Sequence, residues 1–305
     1  MSNGCLPRKP IPSLRRAASS LRWSTYCNQR TFPLLTPRAA ASLRSRPSRD
    51  DAHGTPVSQM AMIEVSGLHR SFGENHVLRG VDLAVEEGTT TVILGSSGSG
   101  KSVLMKHMIG LLTPDRGTVR VDGEEIQGLS EHGLARVRRK FGMVFQSAAL
   151  FDSLNVFDNV AFPLVERGGL PRREIADRVH EKLDVVGLRG IDDRYPEEMS
   201  GGMRKRVALA RALALDPKIV LYDEPTTGLD PIATEYVDEM IVSAQERVGV
   251  TSVVISHDIG SAFAIADRCA VLHEGAVVAE GTPAELRESR QPFVRRFLAL
   301  WYQRR

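Results

Sequence analysis

The sequence predicts an α/β fold: a mostly parallel sheet, an N-terminal antiparallel β subdomain and an inserted helical subdomain. Three observations lead there. The apolar run Thr91-Val92-Ile93-Leu94 passes through a glycine-rich turn into a helix-like segment, Val103 to Ile109, stopped by Gly110. Ile219 to Tyr222 is an apolar run that is continuous rather than alternating, as a strand buried on both faces of a parallel sheet requires, and Thr251 to Ser256 reads as a third strand. Between these strands, residues 157–199 change to helical spacing.

Residues 1–49 hold nine Arg and one Lys and no acidic residue, a charge of +10 that leaves residues 50–305 at −7 against the +3 of the whole chain. A net acidic body gives no encouragement to nucleic-acid binding. Met1 to about Gln59, rich in Arg, Ser, Pro and Ala, is expected to be a disordered leader outside the fold. It reads either as an organellar transit peptide or as a start-site artefact, with Met60 or Met62 the natural start. The globular part is then residues 60–305. Cys5 and Cys27 lie in the leader and Cys269 in the body, which offers neither a disulfide framework nor metal-ligand spacing. No apolar run approaches the ~18 residues that cross a bilayer.

From Ile63 to Val85 the chain reads as short strands, Ile63-Glu64-Val65 and the alternating Val81 to Val85, around a turn at Gly73-Glu74-Asn75. Phe72 is either an ordinary core phenylalanine or an exposed ring that a ligand covers. Next comes Gly95-Ser96-Ser97-Gly98-Ser99-Gly100-Lys101-Ser102. Its glycines let successive N–H groups turn inward on phosphate oxygens, and the helix beginning near Lys101 adds the positive end of its dipole. Lys101 is placed to neutralise β- and γ-phosphates, and the Ser102 hydroxyl to join the shell of Mg²⁺.

Gly117 to Gly123 reads as a hairpin arm, Ala135 to Lys140 as a basic helix, and Phe141 to Phe145 as a buried strand ending in Gln146. In Arg172 to Leu188 the residues Ile175, Val179, Leu183 and Val186 recur at helical spacing, part of a helical subdomain over about 150–215. It closes on Ser200-Gly201-Gly202, where Ser200 is a helix N-cap or, with the two glycine amides, a second anion site. A helix-rich run follows to Leu215, ended by Asp216-Pro217. Asp223 and Glu224 end the Ile219 strand, where ligands bind in open α/β sheets. Asp223 would hold Mg²⁺ and Glu224 would act as general base on the attacking water. The Thr251 strand brings His257 to the same edge.

From Ile63 to Leu300 the chain resembles the ATP-binding subunits of ABC transporters, which have a P-loop NTPase core. Gly95–Ser102 matches Walker A, Gln146 the Q-loop, Ser200-Gly201-Gly202 the signature, and Asp223-Glu224 Walker B. Gly228-Leu229-Asp230 matches the D-loop, His257 the switch histidine, and Phe72 the adenine-stacking position, usually tyrosine in the family. The resemblance implies ATP and Mg²⁺ as ligands, with Gln146 beside the metal. It also implies a head-to-tail dimer in which the signature and D-loop of one copy close over ATP on the other, driving a transmembrane permease. Within the family, Phe145 to Val160, Met199 to Arg206 and Phe293 to Leu298 resemble the maintenance-of-lipid-asymmetry ATPase of bacteria and its chloroplast-envelope counterpart; Met203 stands where most importers have glutamine.

That likeness implies phospholipid or glycerolipid cargo and a substrate-binding lipid-transfer (MCE-type) protein. The expected site of action is the cytoplasmic face of the bacterial inner membrane, or the stromal face of the chloroplast inner envelope if the leader is a transit peptide. A single copy of each motif argues against two-cassette translation or resistance ATPases. About a hundred residues between loop and signature argue against a DNA-repair ATPase, and another transported solute is the alternative cargo. A permease helix is expected to dock in a groove lined by Ala149-Leu150-Phe151 and Val156-Phe157.

Overall fold

The computed structural model describes residues 61–303, so the leader expected over residues 1–59 lies outside the described residues. Its centre is a six-stranded sheet in the order β10-β9-β3-β8-β7-β6. The strands are β3 (Thr90–Leu94), β6 (Phe141–Val144), β7 (Ile219–Asp223), β8 (Thr251–Ser256), β9 (Arg268–His273) and β10 (Ala276–Gly281). All neighbours pair in parallel except β10, an antiparallel edge on β9.

Successive residues of a strand face opposite ways, and the core divides accordingly. Val92, Leu94, Val220, Tyr222, Val254 and Val271 belong to one buried cluster. Ile93, Ile219, Leu221, Val253, Ile255 and Leu272 belong to the other. The first cluster is completed by α3 (Val156–Arg167), α4 (Arg172–Val185), α5 (Gly201–Leu213), α6 (Pro231–Val248) and α7 (Ile259–Ile265). The second is completed by α1 (Lys101–Met108), α2 (Glu131–Arg138) and a four-stranded antiparallel sheet, β2-β1-β4-β5. In that sheet β1 is Ala61–Phe72, β2 Asn75–Glu86, β4 Arg116–Val121 and β5 Glu124–Glu125. The α/β class, the antiparallel subdomain and the inserted helices therefore stand as expected.

Some boundaries differ. The short strand expected at Ile63 is the twelve-residue β1, which keeps its pairing through register shifts such as that between Val65 and Leu68. Gly67 sits there with φ +53°, absorbing the irregularity that hides the strand's alternation. The basic helix begins earlier than Ala135, because the Ser130 side chain accepts from Gly133 N and caps α2.

Val156 does not line a surface groove. It is fully buried in the first cluster, with its N–H donating to Arg194 O, while Phe157 is half-buried with its ring edge toward His180. The groove beside the expected strip is lined instead by Ala149, Leu150, Asp152, Pro196 and Arg204, with Phe151 exposed next to Phe162. Short α8 (Pro283–Arg287) and terminal α9 (Pro292–Tyr302) come after β10, and Phe293 of α9 stacks on His273 at the end of β9.

Candidate functional site

In a parallel sheet every strand ends at the same edge. The neighbours β3, β8, β7 and β6 therefore deliver Gly95, His257, Asp223-Glu224 and Gln146 side by side. Four stretches spread from Gly95 to His257 along the chain come to one edge through strand order alone.

The loop after β3 is shaped by its glycines and by Lys101. Gly98 and Gly100 take φ +80° and +106°, a region that costs other residues strain. Gly95 needs no such conformation, but a Cβ there would lie 2.4 Å from Leu272 O and 2.7 Å from Ser99 Oγ. Lys101 is only 7% exposed, and its ammonium donates to Gly95 O at 2.8 Å and Ser96 O at 3.1 Å, holding the loop closed on itself. Burial lowers the Lys101 pKa, with Glu224 and Asp223 pulling it back up.

Helix α1 begins at left-handed Gly100 with no side-chain cap and no acidic residue in its first turn. Seven other helices are capped by side chains, those of Ser130, Asn155, Ser200, Asp230, Asp258, Thr282 and Gln291. Among the α-helices of the described residues, α4, entered through surface Pro171, shares the lack. Uncapped N–H groups at a glycine-rich helix start are an anion site, and Ser99 Oγ, buried in the loop without a protein partner, adds a further donor.

Glu224 is the centre of the polar contacts. Its Oε2 accepts from Thr227 Oγ1 at 3.1 Å and lies 2.7 Å from His257 Nδ1, while Oε1 lies 3.8 Å from Lys101 Nζ. Its backbone takes φ +50° and donates to Ile255 O of β8. Beside it Asp223 is half-buried; burial foremost, then the Glu224 charge, raises its pKa, against Lys101 and Lys106. A cation at Asp223 would reverse that shift. The hydroxyl of Ser102, the carboxylate of Asp223 and the amide of Gln146 are hard oxygen donors of the kind Mg²⁺ takes. The donor set therefore fits a Mg²⁺-bound triphosphate.

Phe72 is 46% exposed, with the Arg70 guanidinium 4.8 Å from its ring centroid. The reading of Phe72 as core is thereby excluded. Arg70 is itself fixed by Asp115 at 2.9 Å and Thr113 O at 3.1 Å. Ser200 caps α5 by accepting from Met203 N, so its N-cap role is realised. Gly201 and Gly202 face Leu229 and Ala233, where added Cβ atoms would come within 3.3 and 3.7 Å. Asp230 caps α6 by accepting from Ile232 N and Ala233 N. The signature thus packs on the D-loop of its own chain. Among the described residues no hydrogen bond or ion pair joins either to Gly95–Ser102.

Sequence reasoning missed Thr227, Lys106 and Arg70, which act on residues it did name. Spacing could have offered Thr227, three residues past Glu224, and Arg70, two before Phe72 in a strand.

The model of the ABC transporter family matches residues 78–227. The probable ribonucleotide transport ATP-binding protein mkl of Mycobacterium tuberculosis is 43% identical over 250 residues, which cover 82% of this chain and 69% of that one. The chain belongs to the ABC transporter ATP-binding family. The intermembrane phospholipid transport system ATP-binding protein MlaF of Haemophilus influenzae is 43% identical over 237 residues, covering 78% of this chain and 90% of that one. The chloroplastic protein TRIGALACTOSYLDIACYLGLYCEROL 3 of Arabidopsis thaliana is 42% identical, with 77% and 73% covered.

Among solved structures, cbiO1 of Clostridium perfringens, part of the ABC transporter complex cbiONQ, aligns with TM-score 0.70 at 31% identity, covering 79% of this chain and 98% of that one. A dimeric post-hydrolysis ATP-binding cassette bound to ADP and Pi aligns with TM-score 0.65 at 34% identity, covering 73% and 99%. This ABC cassette is an ATPase, of a family whose cassettes work as dimers with membrane permease partners. Among the described residues no helix is long and apolar enough to cross a membrane.

Proposed function

We propose that this ABC cassette powers the movement of phospholipids or related glycerolipids between membranes. Two relatives at 42–43% identity carry names of that kind, an intermembrane phospholipid transport ATPase and a chloroplast trigalactosyldiacylglycerol protein. They are the observation that supports the cargo. The ribonucleotide named for the mycobacterial relatives favours a second reading, a nucleotide-related solute on the same machinery.

In the proposed mechanism the backbone of Gly95–Gly100 and the first turn of α1 cradle the phosphates. Lys101 leaves its carbonyl partners for the β- and γ-oxygens, and Phe72 stacks on adenine. Mg²⁺, when bound, neutralises charge developing on the transferred phosphoryl group. Ser102, Asp223 and Gln146 would hold it. Glu224 accepts the proton of the attacking water, and His257 holds the carboxylate by its near oxygen. Ser200-Gly201-Gly202 of a second copy complete the γ-phosphate shell, with Asp230 of that copy holding the adjoining helix end beside it.

The partners in this reading are a transmembrane permease and a lipid-binding MCE-type protein. The permease helix enters the Ala149–Phe151 groove. The place of action is the cytoplasmic face of a bacterial inner membrane or, with a transit leader, the stromal face of the chloroplast inner envelope. Affinity purification from the native membrane tests this. Recovery of a permease with a lipid-binding protein and co-purifying phospholipid is expected. Recovery with a soluble solute-binding protein and no lipid overturns the cargo and leaves the ATPase standing.

A further inference from the structure

Lys205 is 5% exposed on the second turn of α5, the helix that begins at the signature. Its ammonium donates to the carbonyl of Pro225, the residue after Glu224. Among the described residues no carboxylate oxygen lies within the 4.0 Å of an ion pair, and the one acidic charge that acts on it appreciably is that of Glu224. The other buried lysine of the helical subdomain, Lys182, is treated differently, with Asp216 at 2.6 Å and Glu181 at 2.9 Å. A buried ammonium with a neutral carbonyl as its only close partner is costly, and a well-packed apolar side chain would be cheaper to bury. Packing therefore does not explain it.

The place of the carbonyl does. Glu224 holds a left-handed backbone, and the turn beyond it is closed by Thr227 N on Glu224 O and Leu229 N on Thr226 O. Pro225 has no N–H, so its carbonyl is the one backbone hydrogen-bonding group of that residue, and Lys205 of α5 takes it. One side chain thus joins the helix that begins at Ser200 to the peptide that carries Glu224.

We infer that Lys205 is a positioning residue for ATP hydrolysis, which clamps the Glu224–Pro225 turn to the signature helix and so holds the Glu224 carboxylate in its reactive place. The inference rests on Glu224 being the general base. Through the same clamp, a displacement of the signature end reaches Glu224 within one chain, by a rigid helix and one hydrogen bond.

The test compares Lys205→Met, which keeps length and loses the donor, with Lys205→Gln, which keeps an amide donor, in the full chain. Steady-state hydrolysis and binding of a fluorescent ATP analogue are measured for both, beside Glu224→Gln. Lys205→Met should fold, since an apolar replacement removes a buried charge. Its kcat should fall about 10- to 100-fold, the cost of a reactive group displaced by about an ångström. KM and analogue affinity should stay within about 3-fold, because Lys205 touches no phosphate-binding residue. Lys205→Gln should regain part of the lost kcat, which a purely structural role would not give. Adding Lys205→Met to Glu224→Gln should cost nothing further, as expected for groups acting on one step. A parental kcat in Lys205→Met, or losses that multiply in the double variant, overturns the inference. A parental rate in Glu224→Gln overturns the base assignment itself, and the inference with it.

Discussion

Replacing Gly95 by alanine isolates the close approach of the phosphate loop to the sheet. The backbone at Gly95 is one that any residue adopts, so the substitution carries no conformational strain. Its whole effect is steric. The new methyl would lie 2.4 Å from Leu272 O, where real Cβ atoms essentially never come closer than 3.0 Å, so something must yield by about 0.6 Å. The obstacle is backbone, fixed by parallel pairing of β9 with β3 up to Leu94–Val271. The loop, free on its outer side, is what moves. Overpacking of this kind costs about 1–3 kcal/mol, which lowers the melting temperature by roughly 2–12 °C in a domain of this size.

The larger effect should be on chemistry. The displaced loop carries Lys101 and the α1 amides with it, so kcat/KM should fall by about 100-fold. Gly98→Ala is the control: nothing lies within 4 Å of its Cβ, and only its φ of +80° is strained. That strain costs about 1–2 kcal/mol in a loop, with no push from the sheet. Differential scanning fluorimetry and a phosphate-release assay on both variants decide the matter. If Gly95→Ala melts and turns over like the parent, or behaves like Gly98→Ala, the steric reasoning fails.

Phe72→Ala should raise the KM for ATP while leaving kcat and melting temperature nearly unchanged, since a half-exposed ring contributes mostly to the ligand. A loss of about 1–3 kcal/mol of stacking is expected from a binding titration, and an unchanged affinity would remove Phe72 from the site. Ser200→Arg should abolish hydrolysis and keep nucleotide binding by the monomer, at a cost of about 1 kcal/mol from the lost α5 cap, measured by melting. Asp238 of α6 is half-buried beside α7, where Ser261 Oγ donates to it, and burial, with Asp258 and Glu235 adding, pushes its pKa up to about 6. A raised carboxyl pKa favours the folded state at low pH. As the pH rises from about 4 to about 6, stability should therefore fall by up to about 3 kcal/mol. Asp238→Asn should flatten that part of a urea-denaturation series, and an unchanged slope would refute the assignment.

The catalytic edge is legible because it is written in local patterns. Continuous apolar runs such as Ile219–Tyr222 admit little except a doubly buried strand, and a parallel sheet brings the residues just beyond each such strand to one edge. The features hidden from the sequence depend on side-chain direction. Val156 and Phe151 look alike in sequence, yet one starts α3 facing the core while the other stays in solvent. β1 reads short because Gly67 and its register shifts break the period of two. Lys205 carries no local signal, since its meaning lies in a turn twenty residues further along the chain. The cap roles of Ser200 and Asp230 are available from residue type, whereas the packing of signature on D-loop needs the fold.

The bare start of α1 has a consequence for how the protein denatures. A helix left without a cap by its own chain is finished by whatever anion settles there, so the nucleotide is part of the native architecture as much as its fuel. Every ligand that selects the native state over the unfolded one adds its binding free energy to stability, about 2.7 kcal/mol at a hundred times the dissociation constant. The resistance of this chain to heat or urea is then a property of the surrounding nucleotide pool as well as of the polypeptide. A cell depleted of ATP would lose the transporter's motor function and some of its thermodynamic margin together.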